Sequence, residues 1–288
     1  MEQYLNRFLE SLAAEKGYSD NTVAAYLNDL TQLLQFLSKR PAGAVTAPGN
    51  CTPAVLQEYL ADLQQRGYAS STVARKVAAT KSFFHFLATQ GLVPADPTMG
   101  LESPKIEKHP PRGLTRDEIE RLLAAPVASN SPKALRDRAL LELLYATGMR
   151  VTEAVNLDVG DVDMDHNIIN CRGRSGKQRQ IPVAADTVMT ALKDYLLRSR
   201  PGLIKEPGEV ALFLNHRGKR LTRQGLWLII KSYAGAAGIT ADVTPHTLRH
   251  SFAQHLLGTG GDMHRLQELL GHANLSTTMV YAQTEKNE

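Results

Sequence analysis

The chain has 288 residues, 43% hydrophobic and 22% charged, the balance of a globular protein long enough for two domains with cores of their own. No apolar run approaches the roughly 20 residues that span a bilayer, and the polar start "MEQYLNRFLE" lacks the apolar stretch of a signal peptide, so no membrane partner is expected and the expected location is cytoplasmic. Two distant cysteines, Cys51 and Cys171, exclude a disulfide framework and are expected to pack, while a net charge of +4 and a pI near 9.0 permit nucleic acid as a partner without requiring it.

The first half reads as helices. "EQYLNRFLESLAAEKG" opens the chain. "NTVAAYLNDLTQLLQFLSK" then spaces Val23, Tyr26, Leu27, Leu30, Leu33, Leu34 and Leu37 by threes and fours, with Ser19 or Asp20 as its cap. "TPAVLQEYLADLQQRG" and "SSTVARKVAATKSFFHFLATQG" follow, and Gly17, Gly67 and Gly91 close three of the four. Such helices with short connections make a small bundle. Arg75, Lys76 and Lys81 fall outside the Val73, Val77, Phe84 spacing and are expected to point outward. Val93 to Gly113 holds five prolines and reads as a connector. The expected division is a helical domain over 1–92, a linker over 93–113 and a second domain over 114–288.

The second domain opens with "LTRDEIERLLAAP", where Thr115 and Glu118 fit a capping box, and continues helically through "SPKALRDRALLELLYATGMRVTEAVNL". "VDMDHNIINCRGRSGKQRQIPV" reads as short strands turning at Asp165–Asn167 and Gly173–Gly176. Helices return around Ala185–Arg198, Thr222–Ala236, Pro245–Leu257, Met263–Leu270 and Leu275–Gln283. The expected fold class is mainly α with a small antiparallel sheet.

Several stretches carry chemistry. On the helix "TPHTLRHSFAQHLLGTG", His246, Arg249 and His250 are three and four apart and share adjoining parts of one surface. A zinc-protease helix carries Glu after its first His. Here Thr247 stands there, and Arg249 would set a permanent cation beside the metal, so no metal site is expected. Ordinary solvated residues and an anion site remain as readings, since the Arg fork matches two phosphate oxygens. "CRGRSGKQRQ" holds Arg172, Arg174, Lys177 and Arg179 with no acid among them, a solvated turn or one facing phosphate. "ATGMRVTEAVNL" places Arg150 after Gly148 with Glu153 near enough to orient it. "LLGHANLSTTMVYAQ" carries His272 after Gly271, and Tyr281. Singly, each is ordinary.

In combination and order these stretches resemble the tyrosine recombinases, the phage integrase family, and among them the Xer-type site-specific recombinases. "NTVAAYLNDL" resembles the family's core-binding, SAM-like domain, and the series "ATGMRVTEA", "HTLRHSFA", "LGHANLSTTMVY" resembles its catalytic domain. The resemblance implies that Arg150, Lys177, His246, Arg249, His272 and Tyr281 are the catalytic residues and Glu153 their supporting acid. Arg75, Lys76, Lys81, Arg172, Arg174 and Arg179 are the expected further DNA contacts, with the two domains holding the duplex from opposite sides. A tyrosine hydroxyl can store phosphodiester energy as a 3′-phosphotyrosyl ester, and two arginines and a lysine around the phosphate make a metal cofactor unnecessary.

The resemblance also implies a double-stranded recombination site as substrate, a homo- or hetero-tetramer on DNA, resolution of chromosome or plasmid dimers, and in several Xer systems activation by a septal DNA translocase. A mobile-element integrase or resolvase, a type IB topoisomerase and a non-catalytic DNA-binding protein are the alternatives. Only "AQTEKNE" follows Tyr281, too short for two helical turns and a linker, so the expected species in free solution is a monomer with weak strand exchange.

Overall fold

The computed structural model describes residues 1–14, 18–40, 43–104, 113–129, 131–173 and 178–271. The chain forms two compact units, Met1–His109 and Pro110–Glu288. Among the described residues no helix is long and apolar enough to cross a membrane.

The first unit contains α1 (Glu2–Ala14), α2 (Asp20–Ser38), α3 (Pro53–Gln65) and α4 (Ser70–Thr89). Ser19 caps α2 by accepting from the Thr22 N–H, and Thr52 caps α3 by accepting from the Val55 N–H, each satisfying a donor the helix leaves open. The threefold and fourfold spacing puts Phe8, Leu30, Leu33, Leu37, Leu56, Phe83 and Phe84 in one core, with Phe8 edge-on to Phe83 at 5.6 Å. Val93 and Leu101 are buried in this same core, so the stretch expected to be linker from Val93 onward begins as part of the first unit's packing: apolar side chains between its prolines find a place there.

Lys76 is a correction. It does not point outward: it is 2% exposed, and its Nζ donates to Asp29 Oδ1 at 3.0 Å and Gln32 Oε1 at 2.8 Å. It lies three residues after Val73, on the buried stripe that continues through Thr80, Phe83 and Leu87. Arg75, half exposed, pairs with the other oxygen of Asp29, and Lys81 is half-buried.

The second unit contains α5 (Arg116–Ala124), α6 (Pro132–Thr147), α7 (Val151–Asn156), β1 (Val162–Asp163), β2 (Ile168–Arg172) and β3 (Gln178–Pro182). It continues with α8 (Asp186–Asp194), α9 (Arg200–Leu203), α10 (Arg223–Ala236), α11 (Pro245–Gly258) and α12 (Met263–Leu270). Thr115 and Glu118 form the capping box of α5. The helix expected over Ala185–Arg198 is interrupted after Asp194 by a wide turn, Tyr195–Ser199, where Tyr195 is buried and donates to Leu212 O at 2.9 Å.

α6 buries residues around its whole circumference, and the sheet, α8, α10 and α11 contribute Ile169, Ile181, Leu192, Leu226 and Leu248 to the same core. The antiparallel sheet runs in the order β1-β2-β3, with Ile169 opposite Ile181 and Cys171 opposite Arg179. Since strand side chains alternate, Ile169, Cys171, Arg179 and Ile181 share one face. The expected helix over Leu275–Gln283 lies outside the described residues.

Candidate active site

α6 ends where Gly148 takes the left-handed conformation, φ 56°, and the chain turns through Met149 into α7. Glycine is required there twice over: for that backbone, and because a Cβ would sit 2.3 Å from Phe252 of α11 and 2.9 Å from Leu270 of α12. The ends of α6 and α12 therefore meet against the middle of α11. Arg150 is the first residue past this turn and forms the N-cap of α7.

Glu153, 4% exposed, organises the cluster. Its Oε2 accepts from the Arg150 backbone N–H at 2.7 Å and its Oε1 from Arg150 Nη1 at 3.1 Å. Arg179 grips the same carboxylate with both arms, Nη1 to Oε1 at 2.8 Å and Nη2 to Oε2 at 3.0 Å. Burial alone would push the Glu153 carboxyl up, but the Arg179 and Arg150 hydrogen bonds and charges outweigh it and hold the group below the usual carboxylate range. Cys171 lies beside it, and burial together with the Glu153 charge pushes its thiol up to about 11.

α12 ends at Leu270, and its terminal carbonyls, which a helix leaves without partners, are taken by arginines. Arg179 Nε donates to Leu269 O at 3.0 Å, Arg249 Nη2 to Leu270 O at 2.7 Å and Arg150 Nη2 to Gly271 O at 3.1 Å. Three cations on three successive carbonyls match the negative end of the helix dipole. Arg249, buried at 6% exposure, also donates to Gly148 O at 2.6 Å, so it ties the end of α6 to the end of α12.

Of the expected site residues, Arg150, Glu153 and Arg249 come together here. His246 is exposed in the first turn of α11, behind the Thr244 cap. His250 is buried, and His255 pairs its Nδ1 with the Tyr145 hydroxyl at 2.9 Å; burial holds both imidazoles below their ordinary value. Lys177, Arg174, His272 and Tyr281 lie outside the described residues. Arg172 is half exposed and pairs with Asp161 at 2.8 Å and Asp158 at 3.3 Å.

Arg179 is a second correction. It was expected as a DNA contact, but its side chain is 17% exposed and three of its nitrogens are held by Glu153 and Leu269 O. The strand alternation carried the signal, because Arg179 is two residues before the buried Ile181. A cavity of about 560 Å³ lies beside the N-terminal ends of α6 and α10, lined by Lys133, Arg136, His216, Arg217 and Gln224 among others. The basic run "HRGKR", His216–Arg220, is its sign in the sequence.

Comparison with known proteins agrees with this architecture. Residues 112–288 match the phage integrase family and residues 5–91 the phage integrase N-terminal SAM-like domain. The chain belongs to the phage integrase family, the tyrosine recombinases, enzymes that break and rejoin DNA in site-specific recombination. Within it the likeness is to Xer proteins. The chain is 47% identical over 281 residues to tyrosine recombinase XerC of Herpetosiphon aurantiacus, covering 98% of this chain and 90% of that one. It is 40% identical over 282 residues to tyrosine recombinase XerD of Halalkalibacterium halodurans, covering 98% and 93%. The fold is shared with XerH bound to a palindromic difH substrate in a post-cleavage complex, TM-score 0.76 at 24% identity over 99% of this chain and 92% of that one. It is shared also with a lambda integrase tetramer bound to a Holliday junction, TM-score 0.74 at 19% identity over 96% and 76%.

Proposed function

We propose that the chain is a cytoplasmic Xer-like recombinase that resolves chromosome or plasmid dimers, with Tyr281 as nucleophile and Arg150, Lys177, His246, Arg249 and His272 around the scissile phosphate. The observation that carries this reading is the convergence of Arg150 and Arg249 on Gly271 O and Leu270 O, the carbonyls immediately before His272. Two guanidiniums from separate helices are thus brought to the point from which the segment bearing His272 and Tyr281 departs. Arg150, with its side chain 39% exposed, can turn remaining donors toward an anion.

In this reading His246 accepts the proton of the Tyr281 hydroxyl, whose ordinary pKa is about 10. The tyrosine oxygen bonds to phosphorus as the bond to the 5′ oxygen breaks, and Lys177 protonates that leaving oxygen. Arg150 and Arg249 neutralise the non-bridging oxygens in the five-coordinate transition state, and His272 donates a further hydrogen bond. Resealing is the reverse attack by a 5′ hydroxyl, which takes back the energy held in the ester.

Residues 1–92 are assigned to DNA binding as a core-binding domain, with Arg75 and Lys81 toward phosphates, and 114–288 to catalysis, with Arg172 and Arg174 as further phosphate contacts. Four protomers, of this chain alone or with a partner recombinase, act on two sites, and a septal DNA translocase is the proposed activator. The test is a nicked suicide substrate whose cleaved strand cannot be resealed. The chain should become covalently attached to the 3′ phosphate, and absence of a covalent product on a denaturing gel would defeat the proposal.

A further inference from the structure

We infer that Arg179 is a positioning residue for strand cleavage: it holds Glu153 as a rigid anchor for Arg150, joins that anchor to the end of α12, and does not touch DNA. The inference rests on the role proposed above for Arg150. Arg179 and Glu153 meet fork to fork, at 2.8 and 3.0 Å, a geometry in which neither group can rotate without breaking both bonds. The same two oxygens receive the Arg150 side chain and backbone N–H, so the carboxylate is the link that transmits the position of Arg179 to Arg150.

The third nitrogen of Arg179 holds Leu269 O. The chain at Gly271 passes so near that a Cβ there would sit 2.8 Å from Arg179 Nη1. One guanidinium thereby sets both the outward arginine on α7 and the last turn before His272. With its side chain 17% exposed and each of its three nitrogens donating to Glu153 or Leu269 O, Arg179 is committed to holding this anchor and the end of α12.

The groups facing the Glu153 carboxylate are Arg150 at the start of α7, Arg179 on β3 and Cys171 on β2. Of these, Arg150 is 39% exposed at its side chain, so Arg179 is the better shielded of the two cations. Without it, a carboxylate in this buried place keeps one partly solvated cation and gains affinity for a proton. Protonated or turned aside, it no longer fixes Arg150, and a misplacement on the order of 1 Å at a reacting centre costs about 10²-fold in rate.

The full-length chain, Arg179→Gln, Arg179→Lys and the double variant Arg179→Gln/Glu153→Gln separate this role from the alternatives. The probe is a nicked suicide duplex carrying a site selected by binding from a random-sequence pool. Single-turnover covalent product is followed at saturating DNA across pH, DNA affinity across salt, and thermal stability without DNA across pH. Arg179→Gln should cleave about 10²-fold more slowly at neutral pH, with affinity and salt slope unchanged. Its rate should fall further toward acid as Glu153 takes a proton.

Arg179→Lys keeps a charge without the fork and should stand between Arg179→Gln and the wild type. The double variant should lose the added acid dependence, both of the cleavage rate and of DNA-free stability, and regain part of the rate, because a glutamine at 153 still accepts from Arg150. A purely structural role would lower stability without moving the pH profile of the rate. Unchanged cleavage and pH profile in Arg179→Gln would overturn the inference alone, as would a drop in affinity with a flatter salt slope, which would make Arg179 a DNA contact. A wild-type chain that forms no covalent product would take down the recombinase reading itself, and the DNA-free titration would still report whether Arg179 holds Glu153.

Discussion

The two units contain the same electrostatic device in different settings. In the first, buried Asp29 holds buried Lys76 on one oxygen and half-exposed Arg75 on the other. In the second, buried Glu153 holds mostly buried Arg179 and partly exposed Arg150. Each is an acid with an inner cation that neutralises it and an outer cation that it aims. The surroundings differ. Lys76 adds Gln32 and lies 5.3 Å from the Tyr68 ring, contacts that stay within the helical bundle. Arg179 and Arg150 go on to the carbonyls of Leu269 and Gly271, so the Glu153 device is coupled to the end of α12. In the function proposed above, the carboxylate in the bundle would order a DNA-binding surface, and the same arrangement beside a helix end would order a reacting centre.

The sharpest way to divide these two roles is Tyr281→Phe. It removes one hydroxyl, so covalent product on a nicked substrate should vanish while DNA affinity measured by gel shift stays near that of the wild type. Persistent covalent product would remove Tyr281 from its role.

Breaking the inner pair of the first device should be felt in stability. Lys76→Met leaves buried Asp29 with the half-exposed Arg75 as its counter-charge and should cost up to about 3 kcal/mol in denaturant unfolding, whereas Asp29→Asn with Lys76→Met should recover much of it. A single variant as stable as the wild type would show that the pair is dispensable.

The outer cation gives a smaller effect of another kind. Arg75→Gln with Lys81→Gln should leave the cleavage rate at saturating DNA unaltered and reduce the slope of log affinity against log salt by about 0.9 for each phosphate that is no longer neutralised. An unchanged slope would mean that neither touches DNA.

The acid titration of Glu153 comes next. Its folded-state pKa is depressed, so the stability it contributes is complete above the ordinary carboxylate value and is lost as pH falls through the lowered one. Wild type and Glu153→Gln should therefore differ in thermal stability by a constant amount through neutral and weakly acidic pH, with the gap closing only in strong acid. The smallest effect expected is none: cleavage should survive saturating EDTA, because Arg150, Arg249 and Lys177 supply the positive charge, and loss with rescue by magnesium would contradict that account.

What the sequence determined by itself was local. The helices of the first domain and the caps at Ser19 and Thr115 are decided by a few neighbouring residues, and the structure has each of them. The resemblance in "ATGMRVTEA" and "HTLRHSFA" picked out Arg150, Glu153 and Arg249 for the same reason. Tertiary structure decided which cations face inward. Lys76 is held by Asp29 from another helix, and Arg179 by Glu153 and Leu269 from two other elements. A charged side chain on a buried stripe is stable only if a distant partner compensates its desolvation, and no local pattern states whether that partner exists. The convergence of three arginines on the last carbonyls of α12 depends likewise on packing among α7, β3, α11 and α12, elements far apart in the chain, and no one of them contains it alone.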